Sequence, residues 1–168
     1  LHFALEHSLR TGLFGDLQPG ITTQAQVAEL LGPPDAEGGT SRRYKKPSIY
    51  LYGTVEFFFA REYPNVLTGV FWEAGEKPVL SLPSPHTVEG WEAFSRRTFE
   101  EIEDYLRDGD FLFDYKPHIP SAAYPVLQLE TGARFTFNEE GSISSFYLQT
   151  RVSPGDKVQG QKQYPTGI

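Results

Sequence analysis

Four histidines and one crowded run of carboxylates are the side chains of this 168-residue chain that could do acid–base or metal chemistry. His2 and His7 lie five positions apart, which spoils the shared helix face that a four-residue step gives a pair of ligands. His86 and His118 fall in proline-rich stretches that read as loops. Glu100, Glu101, Glu103, Asp104, Asp108 and Asp110 crowd together, but several fall opposite Phe99, Ile102 and Leu106, on what reads as the solvated side of an amphipathic helix. Asp108-Gly109-Asp110 with Asp114 lacks the remaining ligands and terminal glutamate of a calcium loop. Neither a Gly-x-Ser-x-Gly elbow nor a phosphate loop ending in Gly-Lys-Ser/Thr is present, and there is no cysteine for a disulfide or a thiolate site. The sequence therefore assigns no catalytic residue, metal ligand or cofactor. A pocket that brings His118 or His86 to a carboxylate of the acidic helix stays open as a hydrolase or small-ligand alternative.

Two groups of residues suit contact better than reaction. Arg42, Arg43, Lys45 and Lys46 form a basic cluster in a chain of formal charge −7. Such a cluster either grips an acidic or phosphorylated partner or guards an exposed strand against edge-to-edge pairing. The aromatic residues are the second group. If Val55, Phe57 and Phe59 face the helices, then Tyr50, Tyr52 and Trp72 are expected on the opposite sheet face, with Tyr147 as a further anchor. Tyrosine and tryptophan on such a face make good anchors for a protein partner. The acidic balance argues against nucleic acid, whose backbone calls for a basic stripe.

The elements that must carry these residues can be read from spacing. Thr22 or Thr23 can cap a helix whose apolar face is Val27, Leu30 and Leu31, and Gly32-Pro33-Pro34 stops it. Leu1–Leu13 reads as an earlier amphipathic helix, with Phe3, Leu5 and Leu9 apolar and Gly12 or Gly15 at its end. Asp35–Thr40 reads as a loop. Residues 49–59 read as strand interrupted at Gly53, and Leu67–Trp72 as a further strand after a turn at Pro64-Asn65. Lys77–His86 holds three prolines and reads as a connector. Val88–Arg107 is the longest helical pattern, with a stripe of Trp91, Phe94, Phe99, Ile102, Tyr105 and Leu106. Phe111–Tyr115, Val126–Leu129, Ala133–Phe137 and Ser142–Thr150 read as strands, with a hairpin at Asn138–Gly141.

The expected fold class is α+β, with short helices packed on an antiparallel meander. The two halves share an order of features: a helix, a glycine stop and an aromatic meander. That order suits a degenerate tandem duplication, although the slight identity between the halves leaves coincidence as the alternative. The expected division is 1–76 for the first helix-plus-sheet unit, 77–86 for a connector, 87–152 for the second unit and 153–168 for a flexible tail.

Gly20, Thr22, Val27, Leu31, Gly32, Pro34, Tyr50, Tyr52 and Gly53 give the first half a pattern that resembles the SmpA/OmlA-type outer-membrane assembly lipoproteins and the similarly built β-lactamase inhibitory proteins. The chain lacks the lipobox cysteine of the first and the cysteine pair of the second. The stretch from Arg42 to Phe57 also looks like a group of small, uncharacterised bacterial cytosolic proteins. The resemblance implies a protein that acts by binding another protein. The expectation is thus a non-enzymatic inhibitor or immunity-type protein, whose partner is a bacterial toxin or enzyme held by Tyr50, Tyr52, Trp72 and Tyr147 with the basic cluster at the rim. An envelope-assembly scaffold is the other alternative. No run approaches the roughly 18 apolar residues of a membrane-spanning helix, and the first residues do not read as a signal peptide, so a cytoplasmic location is expected.

Overall fold

The computed structural model of the chain describes residues 1–81 and 85–150; the tail expected over 153–168 lies outside them. The chain opens with strand β1 (Phe3–Ala4), which runs straight into helix α1 (Leu5–Thr11). The first helix is shorter than its apolar pattern because Phe3 and Ala4 pair in parallel with Val88 and Glu89. Gly12 ends α1 at φ 78°, a conformation glycine adopts at little cost, and its N–H donates to the Ser8 carbonyl.

Helix α2 (Gln24–Leu31) starts from a capping box. The Thr23 hydroxyl accepts from the Gln26 N–H at 3.1 Å, and the Gln26 side chain accepts from the Thr23 N–H at 2.9 Å. Val27 and Leu31 are buried, while Leu30, expected beside them, is exposed. Strands β2 (Ala36–Gly38), β3 (Ile49–Tyr52), β4 (Val55–Phe59) and β5 (Leu67–Glu73) then form an antiparallel meander. The Asp35–Thr40 stretch is thus an edge strand where a loop was expected. It carries no apolar alternation because it borders a partner on one side only.

Strands β6 (Val79–Leu80) and β7 (His86–Glu89) pair with each other, and β7 pairs with β1, in a three-stranded sheet of order β1-β7-β6. The proline-rich stretch Lys77–His86 therefore contributes strand residues as well as connection. The long helix expected over Val88–Arg107 is broken into α3 (Trp91–Phe94) and α4 (Phe99–Asp108). Thr98 breaks it: its backbone is extended, it bridges to Ser142, and its side chain and that of Glu101 form a second capping box. Trp91, Phe94, Phe99, Ile102 and Leu106 are nevertheless all buried, so the apolar stripe continues across a break that it conceals.

Strands β8 (Phe113–Lys116), β9 (Val126–Leu129), β10 (Ala133–Phe137) and β11 (Ile143–Gln149) make a second meander. β5 and β11 pair antiparallel with Phe71 opposite Tyr147, which joins both meanders into one eight-stranded sheet, β2-β3-β4-β5-β11-β10-β9-β8. Each meander follows a helix whose capping threonine bridges to the residue just ahead of the last strand, Thr23 to Val66 and Thr98 to Ser142. Each also has a register shift near the end of its third strand, at Phe58/Phe59 and at Thr136/Phe137. The fold is α+β, and one apolar core runs between the helices and a single face of the large sheet. No helix among the described residues is long and apolar enough to cross a membrane.

Candidate functional site

Directly opposed residues of neighbouring strands project to the same face of a sheet, so register decides where each aromatic ring goes. The β3–β4 connection is the two residues Gly53-Thr54, which pairs Tyr52 with Val55 and Tyr50 with Phe57. Positive φ falls on the first of the two, as a type II′ turn requires. Even-numbered β3 positions thereby share a face with odd-numbered β4 positions. Tyr50 and Tyr52 consequently stand with Val55, Phe57 and Phe59 on the helix-facing side. The opposite placement expected from the sequence treats both strands as one uninterrupted alternation, and the turn corrects it.

Tyr52 is fully buried, and its hydroxyl donates to the Gly32 carbonyl at 2.8 Å. Burial first, then the neighbouring Tyr50 and Asp35, push its phenol far above the usual range. Tyr50 lies with its ring edge-on to Phe59, centroids 5.1 Å apart. Trp72 is 1% exposed and packs among Phe146, Trp91 and Phe14 with centroids at 4.6, 5.2 and 5.9 Å. Tyr52 and Trp72 are therefore core residues and present no surface for a partner.

Of the four expected aromatic anchors, Tyr147 is the one on the outer face. A row of opposed residues crosses that face from β3 to β9: Leu51, Glu56, Phe71, Tyr147, Arg134 and Gln128. The adjacent row carries Ile49, Phe58, Gly69 and Gln149. Phe58, Phe71 and Tyr147 close into a triangle with ring centroids 6.5, 6.2 and 6.2 Å apart, and all three are half-buried. Gly69 makes room for it, since a Cβ there would lie 2.3 Å from the Tyr147 ring. Among the described residues no helix packs on this face; the buried apolar side chains of α1 to α4 all enter the core on the other side.

Toward β9 the same face turns polar. Arg134 and Gln149 are buried, and Gln149 Nε2 donates to the side-chain Oε1 of Gln128 at 3.2 Å. His118 lies within reach of the Arg134 charge, and burial, followed by that charge, holds its imidazole below the usual range. His86 sits edge-on to Phe3, with centroids 6.4 Å apart. Among the described residues no hydrogen bond or ion pair joins either histidine to an acid of α4, and no group of three or more potential metal-binding side chains converges. His2 instead pairs with Glu89 at 2.8 Å on the surface, and His7 meets the Gly15 carbonyl at 3.1 Å.

Comparison with known proteins adds to the fold. No family model and no curated protein matches the sequence. A solved structure is similar. The crystal structure of a DUF4309 family protein, YjgB, from Bacillus subtilis subsp. subtilis str. 168 aligns with a TM-score of 0.53 at 13% identity, covering 87% of this chain and 92% of that one. At that identity the likeness extends to the fold alone.

A cleft of about 570 Å³ lies between α1 and α4, lined by Glu6, Arg10, Arg97, Glu101, Asp104, Tyr105, Asp108 and Gly109. Its polar groups mostly serve each other. The Tyr105 hydroxyl donates to Glu6, Arg10 donates to the Gly109 carbonyl at 2.6 Å while stacking on Phe111, and Arg97 stacks on Tyr105. Burial and the Glu6 bond push the Tyr105 phenol up to about 12. This network braces the first helix against α4, and no histidine lines it.

On the outer face, Glu56 stands out. It is half-buried beside Phe71 and Leu51, and no ion pair among the described residues reaches it. Burial, then repulsion from Glu73, raises its carboxyl pKa. A folded-state pKa above the unfolded value means the protonated form favours folding, and that contribution is lost as pH rises through the folded pKa. Glu56→Gln is therefore expected to raise the urea midpoint at pH 7 and to leave it close to wild type near pH 3.5, below the usual glutamate pKa of about 4.3. A midpoint lowered at pH 7 would refute the assignment.

The basic cluster lies on the β2–β3 loop, where Arg42, Arg43, Lys45 and Lys46 are all exposed. That loop leads into Ile49, whose opposed residue on β4 is Phe58, so the cations border the aromatic face at one end.

Proposed function

We propose that this chain is a non-enzymatic binding protein of the inhibitor or immunity type, which takes a protein partner on the outer face of its sheet around Phe58, Phe71 and Tyr147. The observation that carries the reading is this partly exposed aromatic triad, set on a sheet face that bears no helix among the described residues. Eight strands at about 4.8 Å spacing give a face on the order of 34 Å wide, enough for the roughly 800 Å² that each partner commits to a standard interface. Rings held by one another and by the notch at Gly69 lose little freedom on binding, which favours affinity. The Glu56 carboxylate, which no ion pair among the described residues reaches, adds a charged group beside Phe71 on the same face. The binding set becomes Phe58, Phe71 and Tyr147, with Arg42, Arg43, Lys45 and Lys46 at the rim. The resemblance to inhibitory proteins points to the same class of activity.

The test is capture of a partner from source-cell lysate on the immobilised chain, followed by affinity measurement against the purified partner. Phe71→Ala and Tyr147→Ala are each expected to weaken binding by about thirtyfold, the effect of losing a central anchor worth about 2 kcal/mol. Undiminished affinity in both variants, with the fold intact by circular dichroism, would remove the proposal.

A further inference from the structure

The β2–β3 loop does not stand alone. Arg61, on the β4–β5 connection, places its guanidinium 4.4 Å from the Tyr44 ring centroid, with that of Arg43 at 5.3 Å from the same ring. Arg61 Nη2 also donates to the Gly39 carbonyl at 2.6 Å, Lys46 Nζ to Asn65 Oδ1 at 3.1 Å, and Gln24 Nε2 to the Pro47 carbonyl at 2.8 Å. Two loops are thus laced into one surface carrying Arg42, Arg43, Lys45, Lys46 and Arg61, all exposed. Among the described residues none of the five takes part in an ion pair.

Protection of the sheet edge does not account for them. The edge strand itself carries Ala36, Glu37 and Gly38, and the cations lie past its end. A general need for solubility does not account for them either, because the chain already has a large excess of acids. Five of its 15 basic residues gather here with Glu62 as the acid beside Arg61, which leaves the other ten facing 21 of the 22 acidic residues. Like charges held together in such excess are disfavoured in isolation and are relieved by an anionic partner.

We infer that these paired loops form a cationic platform for an acidic segment of a protein partner. This deepens the reading above by naming the partner's chemistry, and it rests on that reading for the claim that the partner is a protein. A long polyphosphate chain leaving the platform would run onto the acidic remainder of the molecule, whereas a short acidic segment touches the platform alone. Tyr44 and Tyr63, 38% and 92% exposed, add ring surface beside the cations.

The probe is a fluorescein-labelled peptide of ten glutamates, titrated with the full chain and followed by fluorescence anisotropy; a labelled ten-nucleotide single-stranded DNA serves as the second arm. The peptide is expected to bind at about 50 mM salt, to weaken at least tenfold by about 300 mM as screening shortens the reach of the charges, and to bind more tightly than the DNA. The double variant Arg42→Glu/Lys45→Glu alters the two cations that make no ring contact or hydrogen bond among the described residues. It is expected to lose at least tenfold in peptide affinity with an unchanged urea midpoint. No peptide binding, binding indifferent to the double variant, or tighter binding of the DNA would each overturn the inference. The peptide titration reads the platform alone, so a failure here is distinguishable from a failure of the sheet-face proposal, which the capture experiment reads separately.

Discussion

Trp72→Ala is expected to destabilise the protein by about 3–5 kcal/mol, while Phe71→Ala, one residue earlier in the same strand, is expected to cost about 1 kcal/mol. Both substitutions remove a large ring from β5, and the difference lies in the face. Trp72 is enclosed by Phe14, Trp91 and Phe146, so truncation leaves a cavity among rings that come from the segment after α1, from α3 and from β11. Those elements cannot all close in at once, and the cavity adds to the lost transfer energy. Phe71 touches Phe58 and Tyr147 on a partly exposed surface, where solvent fills the space left behind. Against a typical total stability of about 5–15 kcal/mol, the core substitution removes a large share. Urea unfolding followed by far-ultraviolet circular dichroism measures both. Equal losses at the two positions would refute the assignment of faces on which the candidate site depends.

Much of the fold was legible because its signals are local. A cap at Thr22 or Thr23 and a stop at Gly32 mark one helix, and the runs at 126–129, 133–137 and 143–149 are strands in the structure. What failed depends on pairing. Thr98-x-x-Glu101 spells the same capping box as Thr23-x-x-Gln26, yet the helical stripe from Trp91 to Leu106 runs through it and hides the stop. Ala36–Gly38 is a strand only because β3 offers it a ladder.

The site was less legible than the fold. Tyr147 was found on the outer face, but Phe58 and Phe71 were missed, and Tyr50, Tyr52 and Trp72 were placed on the wrong side. Gly53 held the usable clue: a two-residue turn there fixes Tyr52 opposite Val55 and reverses the faces of β3 relative to a straight count. The placement of Trp72 had no such clue, because its register follows from the shift at Phe58/Phe59 and from pairing with β11. Arg61 joins the basic cluster through loop proximity, which no spacing in the sequence encodes.

Gly53→Ala is expected to cost about 3 kcal/mol or more, from two sources. The first is conformational: φ is 61°, where an alanine side chain loses about 1–2 kcal/mol. The second is space. A Cβ at this position would sit 1.9 Å from the Val79 carbonyl oxygen, 2.9 Å from its carbon and 3.4 Å from the Leu80 Cα, all backbone atoms that cannot rotate aside. Relief requires β6 to withdraw, which breaks the bonds from the Thr54 N–H to the Val79 carbonyl and from the Val79 N–H to the Thr54 hydroxyl, each 3.0 Å, and disturbs the buried Leu80. Asparagine also carries a Cβ, and the first central position of a type II′ turn lies outside the left-handed helical region that asparagine tolerates. Gly53→Asn is therefore expected to fall as far below wild type in urea midpoint as Gly53→Ala. A midpoint near wild type for either variant would show that the contact with β6 matters little. Because this turn sets which side chains of β3 and β4 reach the outer face, Gly53→Ala is also expected to weaken partner capture, although residue 53 belongs to the turn and to neither aromatic row.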